Sequence, residues 1–298
     1  MTHGSTPGEL KTIALASGRD RPGTREFAEP LVAALHQAGV KVLVDEVTAQ
    51  TCALDWSPRA REELVAEADM LVVMGGDGTL LRWAHLAAPA GVPVLGVDLG
   101  SFGFLAAAKP AAVLASIPRL LAGDYHIRER LMLAVEVRRG DEVTSRLVGL
   151  NEAVVARTHP GRLVRLDTRL NGELVAVYPV DGLIIATPTG STAYNLSAGG
   201  PLVDPELECF ILNPICPHSL YLRPLVVAAG AVVTVAISAH HGDTETARLI
   251  VDGQTDIAIS TADLLVIARA PFSARLVSIN SGSFIERLHT KLRWGTER

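Results

Sequence analysis

Residues 68–81 read ADMLVVMGGDGTLL. A five-residue apolar run stops at Gly75-Gly76-Asp77-Gly78-Thr79, and a second apolar segment follows. That order predicts a buried strand, a glycine turn and a helix start. Glycine permits backbone conformations closed to other residues and lets another molecule come close. Free amides at a helix start suit a phosphate or another anion. Asp77 does not belong in a pure anion cradle, because a carboxylate repels phosphate. It fits a turn where the carboxylate meets a hydroxyl, as acceptor or base, or a bound cation. The competing reading is an Asp that N-caps its own helix.

At 298 residues, one or two domains are expected. Strands are predicted at 12–17, 40–44, 70–74 and 92–97. Helices are predicted at 25–38 (closed by Gly39), from Ser57-Pro58 to about Glu67, at 80–88 and over 109–123. This alternation implies a parallel α/β sheet, with the glycine turn at a strand's C-terminal end, where such sheets bind ligands. From Tyr125 the pattern becomes short strands: 131–138, 144–150, 163–170, 173–177, 182–187, 225–228, 231–238, 248–251, 256–260 and 264–270. Asn171-Gly172 and Asp252-Gly253 mark tight turns between them. The organisation read from the sequence is therefore an α/β domain, 1–124, and an all-β substrate-binding domain, 125–275. A tail, 276–298, is expected to pack back on the α/β domain.

The hydrophobic fraction is 48% but aromatics are only 4%, so the core is aliphatic. A net charge of −5 argues against nucleic-acid binding, which needs a basic surface. Three cysteines, Cys52, Cys209 and Cys216, show no metal spacing and fit reduced thiols in a cytoplasmic protein. The polar start MTHGSTPGELK has no signal-peptide core. The near-apolar run 225–239 is too short to span a membrane and carries Gly230, Thr234 and Ser238.

Two further stretches carry chemistry. Residues 181–201, DGLIIATPTGSTAYNLSAGGP, run from a buried strand into a loop rich in hydroxyls and amides, with Thr187, Thr189, Ser191, Thr192 and Ser197 and the phenol of Tyr194. Such a loop can hold a base and a ribose. It can equally be a solvated turn. Asp181 reads equally as a turn residue before Gly182. Asn151-Glu152, placed after the strand 144–150, is suited to bonding hydroxyls or simply to ending a strand. His240-His241 reads as an exposed turn and His218 as structural. The loop 96–105, GVDLGSFGFL, is not a dinucleotide fingerprint, and no zincin, P-loop or serine-hydrolase motif is present.

Taken together, GGDGT at 75–79, Asn-Glu at 151–152 and TPTGSTAYNLSAGGP at 187–201 resemble the NAD kinases. The likeness continues through Pro-His at 217–218, Arg-Pro at 223–224, Asp-Gly-Gln at 252–254 and SFIERLHTKLRW at 283–294. GGDGT alone is shared with diacylglycerol and sphingosine kinases. The resemblance implies an NAD kinase/diacylglycerol kinase-like fold, an α/β domain followed by an all-β domain. It implies transfer of the ATP γ-phosphoryl group to the 2′-hydroxyl of the adenosine ribose of NAD, with Mg²⁺ accompanying ATP, in a cytoplasmic homodimer or homotetramer.

It also implies residue roles. The catalytic Asp falls on Asp77, flanked by binding positions Gly75, Gly76, Gly78, Thr79 and Arg82. The substrate-binding pair is Asn151 and Glu152, the basic position after the His-Pro-Gly turn is Arg162, and the Asp before the next glycine is Asp181. The adenine loop runs from Thr192 through Ala193, Tyr194, Asn195 and Leu196 to Ser197, Thr189 is a further binding position, and the late Gln is Gln254. Three positions depart from the pattern: Asp98 stands where relatives often have Asn, Phe102 stands nearby, and Pro179 stands where relatives often have Arg. A diacylglycerol-type lipid kinase and a non-catalytic nucleotide sensor are the alternatives. The polar loop 187–201 argues against the first and the intact GGDGT turn against the second.

Overall fold

The computed structural model describes residues 10–19, 21–52, 57–100, 103–105, 108–159, 161–238, 246–279 and 283–293. The chain divides into two compact units, one of Met1–Glu129 with Ser273–Arg298, the other Arg130–Phe272.

The first unit is an α/β layer structure. Its elements are β1 (Thr12–Ser17), α1 (Thr24–Gln37), β2 (Lys41–Val44), α2 (Glu46–Cys52), α3 (Arg61–Glu67), β3 (Met70–Met74), α4 (Asp77–Ala90), β4 (Val94–Val97) and α5 (Pro110–Leu121). The strands pair in parallel in the order β2-β1-β3-β4. Alternate residues serve opposite faces. Ile13, Leu15, Met70, Val72, Leu95 and Val97 pack with Phe27, Leu31 and Leu35 of α1 and Val113 of α5. Ala14, Ala16, Leu71, Val73 and Val94 pack with Leu64 of α3 and Leu80 and Trp83 of α4. Burial on both faces is why these strands read as unbroken apolar runs.

Two local readings of the sequence are corrected here. No helix starts at Ser57-Pro58. Arg59 instead bridges Asp45 in extended conformation, its amide donating to Val44 O at 3.0 Å, and α3 begins at Arg61. A sheet-edge hydrogen bond thus outweighs the preference of proline for a first helical turn. Helix α2 was not foreseen; its signal was Asp45, whose carboxylate accepts the Thr48 amide at 2.9 Å.

The second unit is a β-sandwich. It takes most of β5 (His126–Arg139), then β6 (Glu142–Gly149), β7 (Glu152–Arg157), β8 (Val164–Leu170), β9 (Glu173–Val180), β10 (Gly182–Ala186), a 3₁₀ turn (Thr189–Thr192) and α6 (Tyr194–Ser197). It continues with β11 (Cys209–Ile215), β12 (Leu225–Ala228), β13 (Val233–Ile237), β14 (Thr246–Val251), β15 (Thr255–Ser260) and the first part of β16 (Asp263–Ser278). One sheet has the order β12-β11-β10-β7-β14-β15. Facing residues of this sheet and of β5, β8, β13 and β16 form one aliphatic cluster that includes Leu133, Val155, Ile185, Phe210, Val235, Leu249 and Ile267. The end of β16 returns to the first unit, where Leu276 pairs in parallel with Val94, and α7 (Phe284–Leu292) follows.

Strands β7 and β11 escaped the sequence reading. Asn151-Glu152 therefore lies at the entry to β7 rather than after a terminal strand end. The polar pair hid the run AVVAR behind it, and Pro214 obscured CFILNPI.

Trp83 is buried to 1% exposure on the helix that begins with Asp77, with the Arg61 guanidinium 5.6 Å from its ring centre. Trp83→Ala should cost about 3–5 kcal/mol, as for other buried aromatics cut to Ala. A urea titration would read this as a lower midpoint.

Candidate functional site

In the first unit the polar groups gather at the carboxyl ends of the parallel strands. Chain order reverses between β1 and β3, so a crevice opens there. The Gly75 amide donates to Val97 O at 3.0 Å and the Gly18 amide to Met74 O at 3.2 Å, which ties the glycine turn to both neighbours. A Cβ on Gly75 would meet Thr79 Oγ1 at 2.9 Å, so the turn needs glycine for its own packing. Gly76 is the N-cap of α4, no side chain caps the helix, and Asp77 is its first helical residue. The reading of Asp77 as a cap for its own helix is therefore replaced. Its carboxylate turns to the loop after β4 and accepts the Phe104 amide at 2.7 Å and the Leu105 amide at 3.1 Å. Gly103 lies so close that a Cβ there would come 2.7 Å from Asp77 Cγ. Gly78 and Arg82 are exposed beside it.

Asp98, the departure at the end of β4, is 4% exposed and answered by two lysines. Lys109 Nζ lies 2.7 Å and Lys291 Nζ of α7 3.5 Å from Oδ2, and the Gly100 amide donates at 2.9 Å. Burial pushes this carboxyl up, but the lysines and the amide outweigh it and hold it below its ordinary value. Asp98 and Lys109 line a cavity of about 420 Å³ with Gly23, Glu26, Phe27 and Leu114.

In the second unit the polar groups gather where β7 starts. Glu152 pairs with Ala186, the last residue of β10. The loop that follows is fastened to the Asn-Glu segment. The Thr187 amide donates to Asn151 O at 2.8 Å, and Thr187 Oγ1 donates to Leu150 O at 2.5 Å. Gly190 abuts the Asn151 backbone so closely that a side chain there would collide with the carbonyl. Ser191 Oγ exchanges hydrogen bonds with Val203 N and O at 3.1 Å. Asn195 Nδ2 donates to Ser191 O and Pro201 O, and Asn213 Nδ2 donates to Asn195 Oδ1 at 3.0 Å. The Asn195 side chain is thus spent inside the loop and fixes its neighbours. Tyr194 is 46% exposed, Thr192, Ala193 and Leu196 are half-buried, Ser197 is exposed and Thr189 is buried.

Asn151 and Glu152 are both buried, and Glu152 Oε2 has no hydrogen-bond partner. Burial, then the charge of Asp252, pushes the Glu152 carboxyl up to about 8, against the pull of the Tyr194 backbone amide. Asp181 is held by the Arg157 guanidinium, at 2.9 and 3.3 Å. Arg157 thus meets Asp181 in a chain with Pro179 where relatives often carry Arg. Arg162 is exposed in the turn after His159, and Gln254 is exposed beside Gly253. Phe102, Pro160, His240 and His241 lie outside the described residues; His218 is exposed, its amide donating to Pro179 O. Sequence reasoning missed Thr187 as a structural tie, Arg157 and Asp252. The signal for Asp252 was its place before Gly253 in a left-handed turn.

One unit carries a glycine turn with a carboxylate at the switch point of a parallel sheet, and the other a β-sandwich with a hydroxyl-rich loop against a buried Asn-Glu pair. The chain matches the ATP-NAD kinase N-terminal domain over residues 13–125 and the ATP-NAD kinase C-terminal domain over 150–279, and it belongs to the ATP-NAD kinase family. It is 39% identical to the NAD kinase of Moorella thermoacetica over 97% of this chain and 91% of that one. It is 40% identical to the NAD kinase of Geobacter metallireducens over 96% and 99%. Among solved structures it is similar to yeast NADH kinase complexed with NADH, with a TM-score of 0.87 and 25% identity over 98% of this chain and 90% of that one. It is also similar to an Archaeoglobus fulgidus NAD kinase in complex with ATP, with a TM-score of 0.73 and 27% identity over 95% and 98%. The enzyme phosphorylates NAD, and the lipid-kinase and sensor alternatives fall away. Among the described residues no helix is long and apolar enough to cross a membrane.

The state of Glu152 gives the site a pH signature. The folded chain keeps this proton up to about pH 8, whereas the ordinary value is 4.5. Stability from the bound proton is complete below 4.5 and is lost as pH rises through about 8. Gln at this position is neutral throughout. The thermal midpoint of Glu152→Gln relative to wild type should therefore climb between pH 6 and pH 9. A pH-independent difference would mean that Glu152 is ionised in the fold at neutral pH.

Proposed function

We propose that Asp77 is the proton acceptor for the 2′-hydroxyl of the adenosine ribose of NAD, and that the glycine turn 75–79 with Arg82 holds the phosphates of ATP. The hydroxyl oxygen forms a bond to the γ-phosphorus, the bond to the ADP oxygen breaks, and the hydroxyl proton passes to the Asp77 carboxylate. Phosphoryl transfer is mostly positioning and charge stabilisation. Amides at the start of α4 serve the phosphates, and a carboxylate on its first residue serves the hydroxyl. The observation that carries this reading is the orientation of Asp77, which is not the N-cap of α4 and whose carboxylate accepts the Phe104 and Leu105 amides.

NAD itself falls to the second unit. Glu152 Oε2 is a buried oxygen lacking a partner, and a ribose hydroxyl would satisfy it. The half-exposed Tyr194 ring offers a face for adenine, while Thr189, Thr192, Ala193, Leu196 and Ser197 supply amides and hydroxyls around it. Asp181, Arg162 and Gln254 complete the proposed contacts. Among the described residues no group of three His, Cys, Asp or Glu forms a metal cage. A Mg²⁺ is proposed to arrive on the triphosphate. When bound, the ion would neutralise charge on the transferring phosphate. Three free cysteines suit a reducing cytoplasm. The exposed Leu220 and Tyr221 beside edge strand β12 support a homodimer or homotetramer, which light scattering would resolve.

Asp77→Asn keeps the size of the side chain and leaves the glycines intact. Losing a general base typically costs on the order of 10²- to 10⁴-fold. The variant should lose at least about a hundredfold in kcat, roughly 2.7 kcal/mol of barrier, with the thermal midpoint near wild type. Turnover within a few-fold of wild type in a folded variant would remove Asp77 from the mechanism. NAD lacking the 2′-hydroxyl should bind and accept no phosphate; phosphate on any other hydroxyl would reassign the acceptor.

A further inference from the structure

Leu150 and Asn151 link β6 to Glu152, the first residue of β7, and every backbone polar group of these three residues is answered by two remote residues. The Leu150 amide donates to Asp252 Oδ2 at 2.7 Å. The Asn151 and Glu152 amides donate to Asp252 Oδ1 at 2.9 and 2.8 Å. On the carbonyl side, Leu150 O and Asn151 O take the two bonds from Thr187, and Glu152 O accepts the Asp252 amide at 3.0 Å. Asp252 is itself 7% exposed and sits in the β14–β15 turn at φ +49°, followed by Gly253 at φ +64°. A left-handed conformation at a residue other than glycine needs surrounding structure to hold it. A buried carboxylate likewise needs several donors, and three backbone amides supply them. Gly149 packs against the same turn, where a Cβ would meet Val251 Cγ1 at 2.9 Å.

We infer that Asp252 is a positioning residue for NAD binding: it clamps the three backbone amides of Leu150–Glu152 so that the Asn151 and Glu152 side chains are presented, unengaged by their own backbone, to the nucleotide. This rests on the proposed role of Asn151-Glu152 as the substrate-binding pair. The carboxylate acts twice. Its two oxygens fix the geometry of the segment, and its charge opposes ionisation of Glu152, the second cause of that group's rise after burial. The groups acting on Glu152 are Asp252 from the β14–β15 turn and the Tyr194 backbone amide from α6. Thr187 holds the carbonyl side of the segment without bringing charge.

Asp252→Asn separates these effects. An amide side chain has one oxygen, so at least one of the three donors must face an NH₂ group. The KM for NAD should rise about tenfold or more, the scale of a lost charge-assisted hydrogen bond, while kcat falls much less. The pH dependence of NAD affinity, measured by titration calorimetry, should break near 8 in wild type. The break should move down by at least about one pH unit in Asp252→Asn, a shift of the size that a neighbouring charge produces. A purely structural role would leave the break where it was. Should Asp252→Asn fail to fold, Thr187→Val loosens the same segment from its carbonyl side and should raise KM with the pH break unmoved.

Glu152→Gln tells the two readings apart. If it changes neither KM nor the pH break, the Asn-Glu pair does not bind NAD and the functional reading fails. If it abolishes the break but Asp252→Asn leaves KM and break at wild-type values, Asp252 is no positioning residue and the inference alone is overturned.

Discussion

A segment that offers its side chains to a ligand must satisfy its own backbone somewhere else. Much of this molecule follows from that constraint. The Asn151-Glu152 link is shorter than any helix or strand that could answer its own amides. Its donors go to one carboxylate a hundred residues away, and its two carbonyls accept from the Thr187 and Asp252 amides. The loop 187–203 meets the same demand with Ser191, Asn195 and Asn213, all buried and all bonded inward. What these loops then present outward, Tyr194 and Ser197 among them, is held by groups that never face a ligand. Phosphoryl transfer rewards such rigidity, since its catalysis is mostly placement.

The same constraint explains what could be read in the sequence. Strands β1, β3 and β4 were legible because burial on both faces leaves an unbroken apolar run. The glycine turn was legible because close packing of Gly75 on Thr79 and of Gly103 on Asp77 excludes other residues. The Asn171-Gly172 hairpin was legible because both residues take positive φ. The start of α3 was not, since a long-range bond from Arg59 to the edge of β2 overrode a local proline signal. Strand β7 was hidden for the opposite reason: it opens on Glu152 of the polar pair Asn151-Glu152, which looks like a strand end.

Residues proposed to touch a ligand announce themselves by odd chemistry, such as a carboxylate in a glycine turn. Residues that hold them do not. Asp252 looks like any Asp before Gly in a tight turn, and Thr187 like any strand-end threonine. Their roles exist only through hydrogen bonds over 100 and 37 positions of sequence. Pattern reading is local, so it finds the first kind of residue and passes over the second.

The shielded carboxylates follow the same logic of compensation. An Asp buried to 4% exposure at position 98 would be untenable alone. Lys109 answers it from the start of α5 and Lys291 from α7, so the charge is balanced by two elements of the same unit. Asp181 is likewise balanced by Arg157. Glu152 is the exception, and the proposed function uses it. Its neighbouring charge has the same sign, one of its oxygens is left without a partner, and it stays protonated into the physiological range. A structure that neutralises Asp98 and Asp181 so closely leaves one oxygen of Glu152 unsatisfied, and the ribose hydroxyl proposed to bind there would complete it. Such a group raises the free energy of the free enzyme and returns it on binding, which favours ligands that bring a hydroxyl to that point over those that do not.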